Sequence, residues 1–156
     1  MKIEFFVQGE AKPAGSKNGF ALKKGGAYTG RVVITDASGA PGKAWRESVK
    51  IEARKAYRAA PLEGVPIAVW AIFYRARPKS HFRTGKNAGV LKANAPKFPL
   101  PMPDLTKTFR AVEDACTGII WKDDALVVAQ QVQKKYCDAD HPQPGVLLRV
   151  ENWENE

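Results

Sequence analysis

The chain is short of the residues that would tie it to an oxidising compartment, a membrane or a zinc centre. Its 156 residues include two cysteines, Cys116 and Cys137, with neither zinc-ligand spacing nor a disulfide framework around them. Cys116 falls on the apolar side of an expected helix, which makes it a packing residue. Long hydrophobic runs are missing too. The longest apolar stretches, such as Ile67 to Tyr74, fall far below the roughly 20 residues that cross a bilayer. Met1-Lys2-Ile3-Glu4 enters a strand-like pattern directly, without a secretory hydrophobic segment. These absences lead to the expectation of a cytoplasmic protein with no membrane partner. Repeats and low-complexity tracts are absent. With 44% hydrophobic and 26% charged residues, a single domain over 1–156 with a real core is expected.

Acidic charge is the second scarcity, and it is unevenly placed. The formal net charge is +9; residues 1–100 carry 19 Lys and Arg against 6 Asp and Glu, whereas residues 101–156 carry 6 against 10. A basic front and an acidic back fit a DNA-gripping surface around an anionic catalytic centre. The alternative is a basic protein with no such partner. The deficit is sharpest over residues 75–97, which hold Arg75, Arg77, Lys79, Arg83, Lys86, Lys92 and Lys97 and no acid. Pro78, Gly85, Gly89 and Pro96 make this stretch a long loop. It reads either as a clamp for a phosphate backbone or as a solvated mobile loop, His81 included.

What is present reads as a short series of elements. Residues 3–7 and 31–35 are strand candidates. Residues 13–30, rich in Gly, Lys and Ala, read as a loop with a possible hairpin near Phe20. A helix is expected from about Lys43 to Ala59, because Trp45, Val49, Ala53 and Ala56 recur at helical spacing. Val65 to Tyr74 is the strongest strand; both of its faces are apolar, so it is expected in the middle of a sheet. A second helix is expected from Asp104, a good N-cap, to Gly118, a good C′ residue. On it Leu105, Phe109, Val112 and Cys116 share one side, with Lys107, Arg110, Ala111 and Asp114 opposite. Leu126–Tyr136 and Val146–Val150 read as closing strands.

The second helix carries the chemistry. Asp104 and Asp114, with Asp123 and Asp124 just beyond the helix, set four aspartates into a basic protein. A metal-dependent phosphodiesterase needs carboxylates converging on a hard cation that keeps open positions for water and phosphate. A nearby lysine or arginine offsets the charge of the pentacovalent transition state. Asp104 can also be a plain N-cap, Asp114 an exposed helix residue, Asp123-Asp124 a turn and Arg110 a solvated cation. A β-hairpin return after the helix would bring Asp123-Asp124 back beside it.

The segment Pro103-Asp104-Leu105-Thr106-Lys107…Arg110, then Asp114-Ala115-Cys116, then Asp123-Asp124-Ala125-Leu126-Val127 resembles the RusA-type Holliday junction resolvases of phages and prophages. Those proteins look like Pro-Asp-x-Asp-Asn-Leu-x-Lys, Asp-Ala-Leu, Asp-Asp-Ala-Gln-Val. The detailed match covers about 25 residues, and the element order agrees over the whole chain. The resemblance implies a small α/β domain of the α+β type, a mixed sheet of four or five strands with two helices packed on it. It implies a homodimer nicking both strands of a four-way DNA junction with Mg²⁺, for which Mn²⁺ is a possible substitute.

Carried over residue by residue, the family's first aspartate is Asp104, and the reactive member of its final pair is Asp124, with Asp123 adjacent. Its middle aspartate falls on Thr106, its asparagine on Lys107 and its catalytic lysine on Arg110. The implied metal ligands are therefore Asp104 and Asp124, with Asp114 and Asp123 available for the carboxylate that Thr106 lacks. Lys107 and Arg110 are cast as transition-state cations. The same departures support a rival reading, a non-catalytic branched-DNA-binding protein that keeps the fold. Cleavage of other branched or flapped DNA is a third.

Overall fold

The structure is a computed structural model that describes residues 1–153, apart from the side chain of Asp36. The last three residues of the expected 1–156 domain lie outside the described residues. The fold is α+β. In chain order the elements are β1 (Lys2–Gln8), β2 (Lys17–Lys24), β3 (Ala27–Asp36), α1 (Gly39–Ala56), β4 (Ile67–Arg75), α2 (Leu105–Cys116), β5 (Val127–Tyr136) and β6 (Gly145–Asn152). Four strands form a mixed sheet in the order β1-β6-β4-β5, while β2 and β3 pair only with each other.

The register of the sheet builds its core face. Ile3, Phe5 and Val7 lie opposite Val150, Leu148 and Val146, which in turn lie opposite Val69, Ala71 and Phe73. Side chains alternate across a strand, so these three rows stand on one side of the sheet. Trp45, Val49 and Ala53 of α1 and Phe109, Val112, Ala115 and Cys116 of α2 join the same buried cluster. Burying each large aliphatic or aromatic side chain contributes about 1.5–3 kcal/mol. Strand β4 is central, as its two apolar faces predict, between antiparallel β6 and parallel β5. A parallel neighbour requires a crossover. Here that crossover contains both the basic loop and α2, so one excursion from the sheet holds most of the candidate chemistry.

Three local expectations change. Helix α1 begins at Gly39 rather than near Lys43, because a proline in the first turn (Pro41) loses only an N–H that has no helical partner there. The hairpin expected near Phe20 forms but takes in more of 13–30 than the loop reading allowed, with 17–24 a strand exposed at every position. Asp123 and Asp124 return through a tight turn, not a β-hairpin. Among the described residues no helix is long and apolar enough to cross a membrane.

Candidate active site

Asp104 is fixed from both sides. Upstream, Arg75 at the end of β4 donates to the Met102 carbonyl at 2.6 Å and to the Pro101 carbonyl at 3.3 Å. Lys134 of β5 also reaches the Pro101 carbonyl, at 3.3 Å. Downstream, the Asp104 Oδ1 accepts from the Lys107 N–H at 3.0 Å, and its carbonyl accepts from the buried Thr108 hydroxyl at 2.7 Å. One carboxylate oxygen thus caps the helix while the residue stays exposed, so capping and binding do not compete for the whole group. Gly118 follows the helix at φ +79°, where a Cβ would be strained.

From Asp104 the helix presents a polar side. Lys107, Arg110 and Asp114 line an open cleft of ≈ 410 Å³ together with Ala14, Gly15, Ser16, Lys17 and Arg46. The Ala14 N–H donates to the Lys107 carbonyl at 2.8 Å, which pins the chain before β2 against the first turn of α2. Four cations and one carboxylate around a cleft make an anion-attracting environment. Ala111, expected on this side, is instead buried at 1% exposure. Helix α2 packs on both α1 and the sheet, which widens its buried arc beyond one apolar stripe.

Asp123 and Asp124 enter from the turn after α2. Two fully buried residues, Ile120 and Trp121, anchor it. The Trp121 Nε1 donates to the Thr117 hydroxyl at 3.0 Å, and the backbone of Leu62 bonds to Ile120 and Lys122. Asp123 caps a short 3₁₀ turn, its Oδ1 accepting from the Ala125 N–H at 2.8 Å. That leaves Asp124 as the less engaged member of the pair.

Glu113 is the residue that sequence reasoning missed. Burial pushes its carboxyl above the ordinary range; the charges of Asp124 and Asp114 push it further, while Arg110 opposes them. Asp124, from beyond the helix, is thus near enough for its charge to act on Glu113. The available signal was position: Glu113 stands seven residues, two full turns, after Thr106 and so on the same helix face. Among the described residues no three His, Cys, Asp or Glu side chains converge as a metal-holding group.

The basic loop is folded back rather than loose. Arg77 donates to the Pro96 carbonyl at 2.9 Å and lies over the Tyr136 ring at 4.2 Å. Phe82 and Leu91 pair across a small bridge. Arg75 and Arg77 are therefore half-buried structural ties, whereas Lys79, Arg83, Lys86, Lys92 and Lys97 are exposed.

The sequence profile of the family described as Endodeoxyribonuclease RusA matches residues 10–151, which takes in every element above except β1 and the final residue of β6. This chain belongs to the RusA family. RusA proteins are nucleases of Holliday-junction DNA and work with a divalent metal. No curated protein matches the chain. The RusA match extends well beyond the 25 residues of the motif and includes both the β2–β3 hairpin and α1.

Proposed function

We propose that this chain is a divalent-metal-dependent, structure-specific endodeoxyribonuclease that resolves four-way DNA junctions by paired nicks, acting as a homodimer. Its setting is recombination and repair of phage DNA in the bacterial cytoplasm. The observation that carries the reading is α2 itself, with Asp104 at its cap, Lys107, Arg110 and Asp114 lining one cleft, and Glu113 half-buried within reach of the Asp124 charge.

The donors are all carboxylate oxygens, a set that suits Mg²⁺ or Mn²⁺. Asp104 and Asp124 would hold the ion, with Asp114, Asp123 and Glu113 assisting where Thr106 offers no charge, although no three of these carboxylates converge among the described residues. Asp123, like Asp104, gives only one oxygen to its cap. A bound cation lowers the pKa of a water and so supplies the nucleophile. The protein's own side chains do the rest. Lys107 and Arg110 stabilise charge that builds on the phosphate oxygens, and arginine, always protonated, does so without moving a proton. Lys79, Arg83, Lys86, Lys92 and Lys97 hold the DNA backbone. Two sites related by a two-fold axis match the two symmetric strands of a junction.

The rival, a branched-DNA binder without cleavage, draws on Thr106, Lys107 and the open spacing of the carboxylates. A labelled immobile four-way junction and a matched linear duplex separate the two. The expected result is Mg²⁺-dependent symmetric nicking of the junction alone, reduced at least a hundredfold by Asp124→Asn with junction binding retained. Tight binding with no cut in Mg²⁺ or Mn²⁺ would leave the rival standing. A metal-induced rise in Tm, abolished by Asp124→Asn and reduced by Glu113→Gln, tests ligation without reference to turnover.

A further inference from the structure

The β2–β3 hairpin has no structural task that its own geometry explains. Its strands turn through Gly25 and Gly26, at φ +58° and +84°, between paired Lys24 and Ala27. Two positive-φ residues there give the turn whose twist matches a two-stranded ribbon. Neither face is then covered. Every residue of β2 is exposed, and Phe20, Tyr28, Val32 and Ile34 are 57%, 70%, 64% and 68% exposed. An isolated two-stranded ribbon is marginal in water, so apolar side chains held out on one call for a partner.

Charge and position choose between partners. From Ala11 to Thr35 the chain has five Lys and Arg and no acidic residue, so a second copy of the hairpin would bring like charge to like charge. A polyanion would not. The ribbon also starts inside the cleft of the candidate site: Ser16 and Lys17 line it beside Lys107, Arg110 and Asp114, and the Ala37 N–H closes the ribbon's base on the Ser16 carbonyl at 3.0 Å. Eight residues of β2 at roughly 3.3 Å each reach about 26 Å from that base. Lys23 lies over the Tyr28 ring at 4.5 Å, a cation and an aromatic face side by side. Stacking surfaces interleaved with cations take unpaired or unstacked bases, which have exposed π-faces on a charged backbone.

We propose that the hairpin is a branch-recognition arm, on which Phe20 and Tyr28 stack against bases freed at the DNA branch point while Lys17, Lys23, Lys24 and Arg31 follow the flanking phosphates. The inference rests on the junction-cutting reading above and deepens it: the arm selects the branch, and the acidic helix cuts near it.

The test uses the full chain and a four-way junction carrying 2-aminopurine either at the branch or within an arm, in EDTA. Binding is expected to raise fluorescence at the branch position only. Phe20→Ala/Tyr28→Ala is expected to lose that rise and to lower the junction-over-duplex affinity ratio about tenfold for each aromatic removed, while Phe20→Trp/Tyr28→Trp restores both. Should the double variant melt early, Tyr28→Ser alone, at the more exposed of the two positions, carries the same comparison. Retention of signal and preference by the alanine variants would overturn the proposal. So would a fall in oligomeric mass that the affinity ratio follows, since the arm would then cover a second copy. Nicking in Mg²⁺ distinguishes this inference from the one beneath it. Wild-type protein that opens the branch yet never cuts upholds the arm and sinks the resolvase; one that cuts without disturbing the branch sinks the arm alone.

Discussion

At the scale of single residues, Asp104 has one observed job, the helix cap, and one proposed, holding the metal, and substitution can pull them apart. Asparagine caps a helix as well as aspartate does but brings no charge, whereas alanine does neither. Asp104→Asn is expected to abolish nicking with Tm unchanged within about 1–2 °C, and Asp104→Ala to abolish nicking and cost about 1 kcal/mol in a denaturant titration. Equal stability of the two variants would mean that the Lys107 N–H bond contributes nothing. The cap was legible in the sequence, because a Pro-Asp pair before an apolar stripe states its capping chemistry locally. Glu113 was not. Its spacing from Thr106 places it on the right helix face, but its proposed role depends on Asp124, which arrives from outside the helix.

Cys116 gives a pH prediction at the same scale. Burial, with the Glu113 charge adding to it, pushes the thiol up to about 12. An acid whose folded pKa is raised favours folding below its unfolded value and loses that contribution as pH climbs through the folded one. Stability is therefore insensitive to this group below about pH 9 and falls between there and about 12. Near neutral pH Cys116 is therefore held as the unreactive thiol. Iodoacetamide is expected to label half-buried Cys137 in the folded protein and to reach Cys116 only in denaturant, as read by peptide mass. Equal labelling of both would contradict the packing described for α2.

Among whole elements, the 75–97 loop divides its seven cations between structure and solvent. Arg75 and Arg77 spend theirs on carbonyls and the Tyr136 ring; the exposed remainder is available to phosphate. Replacing Lys79, Arg83, Lys86 and Lys92 by Gln is expected to flatten the slope of log K against log salt for junction binding by about 0.9 per lost phosphate contact. An unchanged slope would remove the loop from the DNA surface. Elements whose apolar residues bury against the core were readable in advance: β4 from its two apolar faces, α1 from Trp45, Val49 and Ala53. The β2 strand was legible only as a hairpin near Phe20, without its extent, because a ribbon that buries nothing leaves no alternation to read, and Gly and Lys among its residues mimic a loop. Ala111 misled for a related reason. A one-stripe helix would expose it, but α2 is packed on two sides.

For the molecule as a whole, the sheet has one face under the helices and one without such a cover. The uncovered face carries Trp70, Ile72 and Leu147 around the Glu4–Arg149 ion pair, an apolar patch that the proposed homodimer would bury. Ile72→Lys is expected to shift sedimentation toward the 17.1 kDa monomer and to turn paired nicks into unlinked single ones. A variant that stays dimeric would move the interface elsewhere.

The strand latest in the sequence, β6, lies between β1 and β4. During synthesis, a nascent chain halted anywhere before Gly145 already carries Asp104, Asp114, Asp123 and Asp124, yet β1 has nothing to pair with and Val69, Ala71 and Phe73 lack the neighbours that complete their rows. The parallel pair β4–β5, on which α2 sits, is then the edge of an unfinished sheet. The proposed DNA-cutting centre is therefore expected to stay unformed on the ribosome until β6 has threaded into the middle of the sheet.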